Sequence, residues 1–399
     1  MSKYYKYGYR SSYGKGYRIG SGGGYKGFGR KNNKPVLIIV IILILLLAAG
    51  GVIIAGACLG WFGDALRIGG EKKEAQSSVI VAAESKEESS KPQQSSKQET
   101  EIEGKWEENV FVYGTKGFEP FNADDKSAKE YAEALKAMKK DLGGKVKVYT
   151  MLAPSHSFTG LPEKYMNIGS DEKKSIEKTY SQLGKDIKSI NVCNTLEKHK
   201  NEYIYFGTDT NWTGLGAYYA YQDFCKAAGV KAVGLEGLST GKISGFRGSL
   251  HAATVTEEKP NGSEILDQNP DTVIYYKVDG YCRLLESGES EDREVPMIAE
   301  FASGSNAYSA FIWGNNPYMK IETQLDTGRK LCIIKDSFGC AFAPFTAASF
   351  DEVFIVDPAY YDGNIVDYIK ENNYTDVLVL NSTSTANTAE RVGELKTIL

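Results

Sequence analysis

The chain is poor in the residues that hold metals. Its only histidines among 399 residues are His156, His199 and His251, and no zinc-type ligand spacing joins them to each other or to cysteine. Six cysteines form no CxxC pair. Cys58 falls in an apolar run, and Cys193, Cys225, Cys282, Cys332 and Cys340 are scattered and odd in number. That pattern argues against a full disulfide framework and reads mostly as small buried thiols, with one unplaced bridge left open. A Walker phosphate loop is missing too. The glycine run at 20–24 precedes no strand–helix unit, so no dinucleotide fingerprint exists either. No metal and no cofactor is therefore expected. Acidic residues are absent from the first 35 positions, which hold nine Lys/Arg, and charge of either sign is absent from 36–62.

Those local absences order the first quarter of the chain. Residues 1–35 are Tyr, Gly, Ser, Lys and Arg, too poor in aliphatic side chains to offset chain entropy, and read as a disordered basic tail. A basic Tyr-rich tail could touch RNA or lipid headgroups, but a topology signal explains it more simply. Residues 36–62 supply 27 uncharged positions, where about 20 apolar residues suffice to span a bilayer. The run is too long and starts too late for a cleaved signal peptide. The positive-inside rule then puts the N-terminus in the cytoplasm and the C-terminal part outside the cell membrane. Residues 63–104 turn to Glu, Lys, Ser and Gln, a charged flexible stalk.

From about residue 105 the composition is globular, within the room for about two domains that the length allows. Strands are expected at 109–113, 145–152, 191–193, 203–206, 331–334, 353–356 and 376–380, and helices at 124–142, 171–190, 214–228, 364–372 and 388–398. The 171–190 helix rests on Ile176, Tyr180, Leu183 and Ile187 at helical spacing. Alternating strands and helices imply parallel βαβ units and an α/β fold. Residues 230–325 break the alternation and read as an irregular, partly β insertion, with strand-like pieces at 272–278 and 309–313.

The chemistry is expected at 331–345, LCIIKDSFGCAFAPF, a buried strand, a turn and a helix start. Ser337 there stands at the carboxyl end of a strand, where open α/β sheets bind ligands, and at a helix N-terminus whose N–H groups can hold negative charge. The plainer reading makes Asp336 or Ser337 a helix cap. A second stretch, Asp209, Thr210, Asn211 and Trp212, precedes a helix start.

Together these two stretches resemble the DHHW group of bacterial surface proteins, which carry an SGNH-hydrolase-like domain and are related to the alginate O-acetyltransferases. Asp209 to Trp212 is similar to an Asp-x-His-Trp motif, and Lys335 to Phe338 to the serine block; FRGSL at 246–250, Gly314 with Asn315, and VDPAY at 356–360 add to the match. The resemblance implies a three-layer α/β/α sandwich with a mainly parallel sheet over 105–399, which the one transmembrane helix read from the apolar run at 36–62 precedes. It implies a Ser/His/Asp triad with Ser337 as nucleophile and Asp209 as orienting carboxylate. Asn315 becomes a candidate oxyanion donor, Asp336 a neighbour, and Trp212 a packing residue beneath the site. The motif histidine, however, falls on Asn211, and an amide takes no proton near neutral pH. His156 and His251 are the candidate substitute bases, while His199 reads as a solvated helix-end residue. Ala359 stands where relatives often carry arginine.

The expected function is acyl-ester hydrolysis or O-acetyl transfer on cell-envelope or exopolysaccharide glycans, impaired at Asn211. The alternative is an inactive glycan-binding or scaffolding protein, within an envelope biosynthesis complex. An adaptor working through the Tyr-rich tail is a third reading. Nucleic acid is not the expected partner. The sequons at Asn211, Asn261, Asn373 and Asn381 are read as chance.

Overall fold

The structure, a computed structural model, describes residues 103–399. The predicted basic tail, the apolar 36–62 run and the stalk up to residue 102 lie outside the described residues. Among the described residues, no helix is long and apolar enough to cross a membrane.

The strands, in chain order, are β1 (Lys105–Glu107), β2 (Val110–Tyr113), β3 (Lys116–Phe118), β4 (Lys147–Ala153), β5 (Ile187–Ile190), β6 (Thr240–Phe246), β7 (Asp271–Tyr276), β8 (Tyr281–Leu285), β9 (Arg293–Val295), β10 (Tyr318–Glu322), β11 (Lys330–Lys335), β12 (Glu352–Val356) and β13 (Asp376–Ser382). The longer helices are α1 (Asp125–Leu142), α2 (Glu172–Ser181), α3 (Gly214–Ala228), α4 (Phe338–Thr346), α5 (Ile365–Glu371) and α6 (Ala389–Ile398). Eight strands form one mixed sheet in the order β5-β4-β13-β11-β12-β10-β8-β9. The first five run parallel, and β10, β8 and β9 add antiparallel at the far edge.

The parallel strands are near-continuous apolar runs because helices cover both faces. Successive side chains point to opposite faces. Leu331 and Ile333 of β11 therefore join the core that includes Phe224 of α3 and Phe342 of α4. Cys332 and Ile334 join the other core, with Leu135 of α1, Ile369 of α5 and Leu395 of α6. All five described cysteines are buried and free.

The α1, α3, α5 and α6 helices and the parallel strands β4, β11, β12 and β13 lie where the pattern places them. The long helix over 171–190 does not form. It stops at Ser181, Gly184 takes φ +81°, and residues 187–190 leave as β5 alongside β4. Ile176, Leu183 and Ile187 are buried in one core all the same, so the spacing reported burial rather than one continuous helix. The strand expected at 191–193 is instead the approach to a short helix, Cys193–Lys198, with the Asn191 side chain accepting from the Cys193 amide at 3.0 Å. Residues 203–206 form only an isolated bridge, Tyr205 to Trp212. Residues 309–313 hold no strand, because a 3-10 turn (Gly304–Ala310) and left-handed Ile312 and Trp313 occupy them. The insertion is also more regular than its composition suggests. It contributes β8, β9 and β10 to the main sheet and β6 with β7 as a separate pair. Cys282 and Leu284, and Met319 and Ile321, alternate inward between polar neighbours, a period too short to stand out among so many turn residues.

Candidate functional site

The site begins where β11 runs out of apolar residues. The chain turns at Asp336, whose carboxylate accepts from the Phe338 amide at 3.0 Å, the Ser382 amide at 2.6 Å and the Thr385 hydroxyl at 2.8 Å. Asp336 thus caps α4 and ties the end of β11 to the end of β13. Burial pushes its carboxyl up from the ordinary range. Gly339 lets α4 start flush on the strand, since a Cβ there would stand 2.4 Å from the Lys335 Cβ. The turn leaves the Ser337 hydroxyl facing the 207–213 loop.

That loop is held from several sides. Asp271 at the start of β7 accepts from the Gly207 and Thr208 amides at 2.9 and 2.7 Å and from the Thr208 hydroxyl at 2.5 Å. Asp209 accepts from the Asn211 amide at 2.9 Å and from Asn211 Nδ2 at 2.7 Å through Oδ1, and from the Ser249 amide at 2.8 Å through Oδ2. Gly248 makes room for it, for a Cβ there would lie 2.3 Å from the Asp209 Cβ. This gives the FRGSL block its structural role, which the sequence showed only as a match. Trp212, fully buried, donates its Nε1–H to the Phe338 carbonyl at 2.9 Å and packs edge-on against the Phe338 ring.

The two stretches meet in one hydrogen-bond chain. Ser337 Oγ donates to Asn211 Oδ1 at 2.9 Å, and Asn211 Nδ2 donates to Asp209. The orientation of the amide follows from chemistry, because an ionised carboxylate only accepts and so must face the NH₂ end. The order serine, middle residue, carboxylate is that of a Ser/His/Asp triad, with an amide in the imidazole's place. Such an amide positions the hydroxyl but cannot store its proton.

Neither candidate base replaces it. The His251 ring lies by the Asn261 carbonyl at 3.0 Å and 3.7 Å from Asp267. His156 is buried between Phe118 and Tyr205, and its Nδ1 has no hydrogen-bond partner. Burial, with the Lys116 charge, depresses its pKa to about 3, so it stays neutral. Both histidines sit in short helices, His156 at the start of His156–Gly160 and His251 within Ser249–Ala252, and their short local sequences said nothing of where the rings turn. His199 pairs with Glu202 at 2.6 Å.

Asn315 stands close to the helix start and accepts through Oδ1 from Lys335 Nζ at 2.8 Å and Cys340 Sγ at 3.2 Å, bonds that do not use its Nδ2 donor. The helix-start donors are engaged: the Phe338 amide by the Asp336 side chain, and the Gly339 and Cys340 amides by the Asp336 and Ser337 carbonyls. Lys335 is almost wholly buried and bonds Asp357 at 3.1 Å. Burial opposes its charge, but Cys340 and Asp357 outweigh that and hold its pKa above the usual lysine value. Arg391 of α6, bonded to Glu394 at 2.8 Å, also lies in the field of Asp357 and Asp336.

Sequence reasoning missed an acidic group behind the loop. Glu119, which follows β3, is pushed up to about 7 by desolvation and by the charges of Glu172 and Asp209. Glu172 of α2, bonded to the Ser155 amide and hydroxyl at 2.9 and 2.8 Å, is raised to about 7 by burial. Their partners lie far away in the chain, so no local motif marks them. Among the described residues no group of side chains is arranged to hold a metal.

A family model described as "DHHW protein" matches residues 72–356. A DHHW family protein from Eubacterium siraeum is 32% identical, with a TM-score of 0.68 over 75% of this chain and 98% of that one. PatB1 of Bacillus cereus, solved with a sulfonyl adduct, is 17% identical with a TM-score of 0.57 over 70% of this chain and 97% of that one. The same protein in a second structure gives 18% and 0.57 over 72% and 98%. No curated protein matches the chain.

Proposed function

The chain belongs to the DHHW family, and we propose that its Ser337 site is an acyl-ester site of SGNH type, serving ester hydrolysis or O-acetyl transfer on cell-envelope or exopolysaccharide glycans with an impaired proton relay. The domain would be a three-layer α/β/α sandwich of that class, held outside the cell membrane by the 36–62 segment. The observation that carries the reading is the hydrogen-bond chain from Ser337 through Asn211 to Asp209. A serine hydroxyl is a weak nucleophile until a base takes its proton. Asn211 supplies geometry without basicity. Binding and oxyanion contacts alone can leave about 10³–10⁴-fold acceleration over water when a triad member is missing.

Asn211 also favours a second reading, a glycan-binding or scaffolding protein of the cell surface that keeps the Ser337–Asn211–Asp209 arrangement and has lost turnover. A serine-reactive fluorophosphonate and an aryl acetate separate the two on the full-length protein. Labelling and turnover that vanish in Ser337→Ala support the acyl-transfer reading. A wild type that is neither labelled nor active abandons it for the binding protein.

A further inference from the structure

Ser337 stands at the N-terminal end of α4 with helical backbone angles, φ −56° and ψ −29°, yet its side chain caps nothing. A serine in that place ordinarily turns its oxygen onto the first helix amides. Here the Asp336 side chain takes the Phe338 amide, and the Ser337 carbonyl takes the Cys340 amide at 3.1 Å. The hydroxyl is left for Asn211. Where it points depends on the backbone frame of residue 337, since any rotation of that frame swings Oγ with it. Such placement matters for rate, because a misplacement of about 1 Å can cost ~10²-fold.

That frame is held from a third segment, outside both stretches. Tyr308, in the 3-10 turn Gly304–Ala310 of the insertion, donates its hydroxyl to the Ser337 carbonyl at 2.8 Å. The Ala341 amide bonds the same hydroxyl. The Tyr308 ring meets Phe206 and Phe311 edge-on, with centroids 6.0 and 5.4 Å apart. Phe206 is fully buried, and its amide donates to the Asn211 carbonyl at 3.3 Å. One side chain thus reaches the serine turn with its oxygen and the segment bonded to Asn211 with its ring. Trp212 spans the same gap from the loop side, through the Phe338 carbonyl. Burial, with Cys340 and the charges of Asp209 and Asp336, keeps the Tyr308 phenol protonated and therefore a donor. A buried tyrosine hydroxyl needs a partner in any fold. This one takes the carbonyl of the residue whose own hydroxyl has to stay 2.9 Å from Asn211.

We propose that Tyr308 is a positioning residue for Ser337, fixing the carbonyl of residue 337 against the Phe206–Asn211 segment and so setting the reach of the serine hydroxyl to Asn211. Its effect on rate rests on the acyl-ester reading above, while its geometry rests on the hydrogen-bond chain alone. Tyr308→Phe removes one oxygen and keeps the ring. Full-length wild type and Tyr308→Phe would be compared by thermal melting, the rate of fluorophosphonate labelling at Ser337, aryl acetate turnover, and hydrogen–deuterium exchange of peptides covering 336–341. The variant should melt cooperatively. Labelling and kcat should fall about fivefold, the worth of one neutral hydrogen bond, with KM unchanged within about twofold. Exchange at 336–341 should quicken by about the same factor, and exchange elsewhere should stay as in wild type. A bond that only supports the fold would lower the melting temperature and leave labelling and kcat of the folded protein as they were. That result overturns the proposal, as does unchanged exchange at 336–341 or a variant that no longer melts cooperatively. A wild type that is neither labelled nor active removes the acyl-ester reading instead, and exchange then decides alone. Faster exchange confined to 336–341 keeps the positioning role, and exchange that is unaltered or quickened throughout the chain ends it.

Discussion

Replacing Asn211 by histidine should restore what the hydrogen-bond chain lacks. Asn211 already accepts a hydrogen bond from the Ser337 hydroxyl at 2.9 Å and donates one to Asp209 at 2.7 Å. An imidazole bridging the same two partners would have Nδ1–H fixed by the carboxylate and Nε2 free to accept. General base catalysis by a positioned side chain contributes about 10²–10⁴-fold. At about 1.36 kcal/mol per tenfold, that is roughly 3–5 kcal/mol off the barrier. The site is tight, with Asn211 only 5% exposed, so the larger ring should cost stability as well. Overpacking of this kind costs about 1–3 kcal/mol, which leaves a folded protein if the domain has ordinary stability. The assay is aryl acetate turnover together with the rate of fluorophosphonate labelling, for wild type, Asn211→His and Asn211→His/Ser337→Ala. Turnover should rise at least a hundredfold in the single variant and vanish in the double one. An Asn211→His protein that melts cooperatively near the wild-type temperature, yet shows no gain in either rate, would refute the idea that only the base is missing.

Three further outcomes follow from the same geometry. Gly248→Ala places a methyl 2.3 Å from the Asp209 Cβ, so it should destabilise the protein by about 1–3 kcal/mol in urea unfolding and erase the gain of Asn211→His. Lys335→Met strands the buried Asp357 carboxylate 3.1 Å from where the ammonium stood, and should cost about 3–5 kcal/mol by the same measurement. Glu119 is held at about 7 in the folded protein by desolvation, Glu172 and Asp209, above its ordinary carboxyl value of 4.5. The folded state therefore binds more protons between about 4.5 and 7, and stability falls as pH rises through that window. Glu119→Gln should flatten the decline in melting temperature from pH 5 to pH 8, and an unaltered slope would contradict this origin.

The apolar runs that became β4, β11, β12 and β13, and the helix signals with their caps at Asp124 and Asn364, were legible because they are local. Period and capping chemistry act within a few residues. So did the two blocks at Asp209 and Ser337, whose residue types are specific enough to be read from the chain alone. The helix expected over 171–190 shows the limit of that reading. Burial of Ile176, Leu183 and Ile187 was right, but a strand and a helix both satisfied the spacing, and pairing with β4 decided between them. The insertion's strands were hidden for a related reason, since β10 gains its partners from β8 and β12 and not from its own five residues.

By itself, then, the sequence determined the α/β alternation, a serine at a strand-to-helix turn and an amide in the place of the motif histidine, since these are matters of residue identity and short-range order. Tertiary structure alone decided that Asn211 bridges Ser337 and Asp209, 126 positions separating it from the serine. It also decided that His156 and His251 turn to other partners, and that Glu119 titrates near 7. Hydrogen-bond reach and desolvation depend on which distant side chains share a few ångströms, and only folding brings them there.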